Sequence, residues 1–193
     1  MDLGLAENQY NTAYISLSAE INVTTTEQII ATSTSLVSQG FNCLYFMAST
    51  PGGGVMNGIN VYNILRALPA KIVFHNVGNI DSIGNAIFLA GDERYACPHS
   101  TFMFHGVGFD LASNNRIEQK NAQEMLDGIL ADQKRIASIM VERTNLTDSQ
   151  AADLFKESRT KDATYAASMG IVSDIKDVNI PTGSPVFALV FQR

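Results

Sequence analysis

Apolar and polar positions along the chain alternate in blocks that read as strands and helices in turn. Ala13 to Leu17 reads as an opening strand, and Thr25-Thr26-Glu27-Gln28, with capping-box spacing between Thr25 and Gln28, opens a helix that stops at Gly40. Cys43 to Ala48 is a continuous apolar run, the pattern of a strand buried on both faces. A glycine turn then leads into a helix from Met56 to Leu68, and Lys71 to His75 repeats the unit: strand, turn at Gly78, helix from Ser82 to Ala90. Successive strand-to-helix units of this size predict an α/β fold with parallel strands and right-handed crossovers.

From Arg94 the rhythm changes. Short strands are predicted at Arg94 to Ala96 and Thr101 to His105, with an extended piece through Phe109. Asn115 to Arg143 holds no Pro and one Gly, and its apolar residues recur at helical spacing, predicting one long amphipathic helix with Gly128 as its weak point. At 1.5 Å per residue that helix spans roughly 40 Å, about the width of a compact domain of this length, which points to an arm packing on another subunit. Helices at Thr147 to Lys156 and Ala163 to Met169, and strands near Ile171 and at Val186 to Phe191, complete the pattern.

A length of 193 residues predicts a single domain, 1–193, with a self-sufficient core. The net charge of −6 and scattered Lys and Arg disfavour nucleic acid and anionic membrane surfaces. No run approaches the length of a membrane span, and Met1 to Leu5 lacks the features of a leader, so a cytoplasmic location is expected. Cys43 and Cys97 read as reduced thiols. The three histidines lack the spacing of a metal site, and neither metal nor cofactor is expected.

Three motifs carry the candidate chemistry. Thr50-Pro51-Gly52-Gly53-Gly54-Val55 could be a turn, a phosphate cradle or an oxyanion loop, and the absence of a following Lys-Ser/Thr disfavours the phosphate. Ser82, flanked by Gly78 and Gly84, reads either as a helix N-cap or as a nucleophile whose following amide, Ile83, faces developing negative charge. His105 ends an apolar strand, where a neutral base is acceptable, although a lone histidine at such a place is more often simply hydrogen-bonded in the core.

In this order the motifs resemble the proteolytic subunit of the caseinolytic (Clp) serine proteases, within the crotonase-like superfold of repeated strand-strand-helix units. Tyr14 to Ile21 resembles the family's opening strand, the glycine stretch its Ser-Pro-Gly-Gly-x-Val loop, and Asp81-Ser82-Ile83-Gly84 its nucleophile turn. Pro98 to His105 resembles the strand bearing the catalytic histidine, the long helix the protruding handle, and Ala166 to Asp174 a late Ala-x-x-x-Gly segment. The resemblance implies Ser82 as nucleophile, His105 as general base and the amides of Gly53 and Ile83 as oxyanion hole. It also implies a peptide or unfolded-protein substrate, two heptameric rings stacked as a tetradecamer, and an ATP-dependent unfoldase as partner.

Three positions depart from the family pattern. Ser158 falls where the triad's acid belongs, with Asp162 and Glu157 as alternatives; Asp162 also reads as the N-cap of the next helix. Asp81 places a carboxylate beside the nucleophile, where an inward orientation would oppose oxyanion charge. Fewer residues precede the opening strand than the family uses for its axial loops. Two further readings are a weak or inactive ring subunit serving as scaffold or partner-binding protein, and an acyl-CoA enzyme, which would need a glutamate near a helix start.

Overall fold

The structure is a computed structural model that describes residues 10–108 and 117–191. The predicted extension to Phe109 and the predicted helix start at Asn115 lie outside the described residues. In chain order the elements are β1 (Thr12–Ser18), α1 (Val23–Ser38), β2 (Cys43–Thr50), α2 (Val55–Ala67), β3 (Lys71–Asp81), α3 (Gly84–Phe88), β4 (Glu93–Ala96) and β5 (Thr101–Met103). Then follow α4 (Gln119–Arg143), α5 (Asp148–Glu157), β6 (Thr160–Asp162), α6 (Ala163–Ser168), β7 (Asp174–Ile175) and β8 (Val186–Ala188).

One sheet runs β6-β5-β3-β2-β1-β8, with β4 pairing to both β3 and β7. Every pairing is parallel except β5 with β6. The fold is therefore the expected α/β architecture, and its parallel strands place their carboxyl ends together at one edge of the sheet. Beneath that edge the core is an aromatic stack: Phe46 lies over Phe74 at 4.8 Å, and Phe88 joins Phe74 to Phe102 at 5.8 and 5.3 Å.

β3 differs most from expectation. The turn predicted at Gly78 is an irregularity inside a strand that continues to Asp81. Asn76 explains it, because its Oδ1 accepts from Gly78 N–H while its Nδ2 donates to the Thr101 carbonyl. The first half of β3 thus pairs with β4, and the displaced second half, Asn79 to Asp81, pairs with β5. That shift brings Ser82 beside the strand that leads to His105.

Two smaller expectations change. α1 starts two residues before Thr25, at Val23, and is capped by Asn22: Asn22 Oδ1 accepts from Thr25 N–H, and Thr25 Oγ1 accepts from Asn22 N–H. β2 is buried on one face and half-buried on the other, where Tyr45 and Met47 alternate with Leu44, Phe46 and Ala48. An apolar run alone does not distinguish a strand covered twice from one whose second face carries aromatic and sulfur side chains at a rim.

α4 is the long helix of the pattern, 25 residues and about 38 Å at 1.5 Å per residue. Only Ile136, Ile139 and Met140, near its C-terminal end, are buried, and Leu126 and Leu130 stand exposed on the projecting part. Its base is held by two arginines. Arg94 donates from Nε to the Ile171 carbonyl and from its terminal nitrogens to the carbonyls of Gly91, Gly170 and Arg143, while Arg143 donates to the Leu89 and Gly91 carbonyls. Among the described residues no helix is long and apolar enough to cross a membrane.

Candidate active site

The site forms where the glycine stretch, the end of β3 and the segment after β5 converge. Gly52 accepts from Ile21 N–H at 2.7 Å and Gly54 N–H donates to the Ile21 carbonyl at 2.7 Å, so the loop is clamped to the end of the β1 segment. Gly53, between them, has φ +146, and a Cβ there would fall 2.1 Å from the Ile21 oxygen. Only glycine fits that geometry. Its N–H has no acceptor among the described residues.

Ser82 takes the left-handed conformation, φ 55, a strained setting for a non-glycine residue. Its N–H donates to the Met103 carbonyl at 2.9 Å, fixing it against β5. The helix that follows is α3, whose N-cap position is Ile83, so Ser82 is not the cap its sequence position allowed. The Ser82 hydroxyl has no hydrogen-bond partner among the described residues, and neither has the Ile83 amide. The α3 helix is also far shorter than expected, five residues instead of nine. Asn85, buried and three residues after Ser82, braces the turn: its Nδ2 donates to the carbonyls of Ser82 at 3.1 Å and Met103 at 2.9 Å.

His105 is half-buried, with Nδ1 at 2.8 Å from the Gly106 carbonyl oxygen. A cavity of about 80 Å³ is lined by Gly53, Ser82, Ile83 and His105, so four of the predicted site residues meet in one place. Its apolar walls come from Val55, Phe104, Ile136 and Phe155. Two bare amides, an unengaged hydroxyl and an imidazole around one small cavity form a set that can perform acyl transfer.

The candidates for the third position do not join them. Ser158 is the exposed C-cap of α5, in the left-handed conformation, and its hydroxyl donates to the Phe155 carbonyl. Asp162 caps α6, accepting from Tyr165 N–H at 2.7 Å. Glu157 is paired with Lys161 at 2.7 Å, and that ammonium holds its carboxyl below the usual range. None of the three lines the cavity.

Asp81 does not line the cavity. Strand alternation puts it on the same side of β3 as Asn79, whose Nδ2 donates to its carboxylate at 2.6 Å, and Asn79 is held in turn by Ser49. His75, the other strand-end histidine, is fully buried elsewhere in the sheet, between the Tyr45 hydroxyl at Nδ1 and the Lys176 carbonyl at Nε2. Asn85, Ile136 and Phe155 were not legible as site residues. Asn85 had a helical i+3 relation to Ser82 as its one signal, and the other two arrive from remote helices.

The family model described as Clp protease matches residues 4–179. The chain belongs to the Clp protease family. It is 24% identical over 147 residues to ATP-dependent Clp protease proteolytic subunit 2 of Pseudomonas aeruginosa, covering 72% of this chain and 70% of that one. It is 24% identical over 178 residues to proteolytic subunit 3 of Streptomyces avermitilis, covering 89% and 80%. The match to proteolytic subunit 2 of Thermobifida fusca, at 28% identity, spans 62% of this chain and 56% of that relative. Among solved structures, a mutant of ClpP1 from Listeria monocytogenes superposes with a TM-score of 0.74 at 19% identity, over 86% of this chain and 91% of that one. The Clp-protease fold read from the motifs is therefore the fold of this chain.

Proposed function

We propose that this chain is a serine peptidase subunit that hydrolyses peptide bonds with Ser82 and His105. The observation that carries the reading is the convergence of Ser82, His105, Gly53 and Ile83 on one cavity, with both amides bare among the described residues. In the first step Ser82 Oγ attacks the scissile carbonyl as its proton passes to His105. The oxyanion that develops is met by the N–H groups of Gly53 and Ile83, each such donor being worth roughly 10²–10³ in rate. His105 then returns the proton to the leaving amine, and water repeats the sequence to release the acyl group.

The substrate is an extended peptide or unfolded protein, entering as an added strand between the glycine loop and the segment after His105. We propose heptameric rings stacked as a tetradecamer, with the exposed Leu126 and Leu130 of α4 buried at the contact between rings, and a separate ATP-dependent unfoldase as feeder, in keeping with the relatives' names. The second reading, a weak or inactive scaffold subunit, draws support from the cavity lining, which holds no carboxylate among the described residues. Hydrolysis of fluorogenic peptides separates the two: turnover that disappears in both Ser82→Ala and His105→Ala at unchanged native mass supports the peptidase. No turnover from assembled protein supports the scaffold.

A further inference from the structure

The acid of a Ser-His-Asp triad does two jobs. It holds the imidazole in the tautomer and orientation that leave Nε2 free to take the serine proton, and its charge stabilises the imidazolium that results. The two jobs are separable, and only the second needs an ion.

We propose that in this chain the backbone carbonyl of Gly106 performs the first job and that no carboxylate among the described residues performs the second, so that the site works as a Ser82-His105 dyad. The inference rests on the peptidase reading. His105 Nδ1 lies 2.8 Å from the Gly106 oxygen. A carbonyl oxygen only accepts, so the proton of the neutral ring sits on Nδ1 and Nε2 is the bare nitrogen. Because the acceptor belongs to the next residue, the ring is oriented by the local backbone and needs no group from another element.

Gly106 lies against α4 and α5, which also wall the cavity: a Cβ on it would meet the Gln133 side-chain Nε2 at 2.9 Å and lie 3.7 Å from the Phe155 carbonyl. Each acid-position candidate is meanwhile committed elsewhere: Ser158 to the end of α5, Asp162 to the start of α6, Glu157 to Lys161.

The proton inventory closes without an acid. As the Ser82 Oγ–carbon bond forms, the hydroxyl proton moves to His105 Nε2, and as the carbon–nitrogen bond breaks the same proton leaves on the amine. The Nδ1 proton stays on its contact with the Gly106 oxygen throughout. Gly106 is thus a positioning residue. The dyad keeps the correct tautomer, so it escapes the roughly 10⁴-fold loss that a wrong tautomer brings, while lacking the charge term of a full triad.

The test uses the assembled protein labelled with nitrogen-15 at histidine. The chain has three histidines, so His105 is assigned by difference against His105→Gln. At mildly alkaline pH the expected spectrum shows His105 with Nδ1 protonated and Nε2 bare. The Glu157→Gln, Ser158→Gly, Asp162→Asn triple variant, chosen because Gly suits the left-handed site and Asn still caps a helix, should keep that spectrum. Its Ser82-dependent labelling by a fluorophosphonate should stay within about threefold of wild type, against the roughly 10⁴-fold expected if one of the three completed a triad. A proton on Nε2, or a loss beyond about tenfold in the triple variant at unchanged native mass, overturns the inference. Absence of labelling in wild type with the Nδ1 proton in place would instead refute the peptidase reading and leave the histidine arrangement standing.

Discussion

A Cβ on Gly52 would lie 2.5 Å from Ser82 Cβ and 2.7 Å from the Asp81 oxygen, so the glycine loop and the nucleophile turn are in backbone contact. Gly52→Ala should therefore displace Ser82 by about an ångström and lower peptide hydrolysis about 10²-fold, with native mass unchanged. Steady-state kinetics and native mass spectrometry check both halves of that expectation. Away from the site, burial is the main influence on His75 and lowers its pKa from the ordinary value of 6.5, while the Lys176 carbonyl opposes the shift. The unfolded chain then binds the proton first as pH falls. Stability held by neutral His75 is full above pH 6.5 and is lost as pH drops through that value toward the folded one. Thermal unfolding midpoints measured from neutral pH downward should fall in wild type and fall less steeply in His75→Gln.

Among the elements, α4 joins the candidate site to the proposed assembly. Its base supplies Ile136 to the cavity wall, and its projecting part carries Leu126 and Leu130. Arg94 anchors that base through neutral carbonyls, and burial, with Arg143 next in weight, pushes its pKa down to about 10. Arg94→Met would strand several acceptors and should cost about 3 kcal/mol in denaturant titration, the scale of one or two hydrogen bonds to a charged group. Strands, crossovers and the long helix were legible because each has its own periodicity. The reach of β3 was not, because a glycine after five strand-like residues reads as a turn unless Asn76 is known to bridge it to Thr101. The site was legible to the same extent. Ser82, His105 and the two amides lie on motifs that end or follow strands, whereas Ile136, Phe155 and the Gly106 carbonyl come from packing that no local spacing encodes.

For the whole molecule, α4, about 38 Å long, is buried near its C-terminal end and carries the exposed Leu126 and Leu130, an apolar surface that no described residue covers. Burying it between rings is the proposed solution. Leu126→Asp with Leu130→Asp should halve the native mass from stacked rings to single rings, measured by native mass spectrometry; a wild-type monomer would contradict the assembly. The site does not wait on that outcome, since its four groups belong to one chain. The central claim is that Ser82 is a reactive nucleophile activated by His105, and covalent labelling with a fluorophosphonate, located by peptide mass spectrometry, tests it most directly. Labelling is predicted on Ser82, absent in Ser82→Ala and strongly reduced in His105→Ala, whereas assembled wild-type protein that takes no label at Ser82 would contradict it.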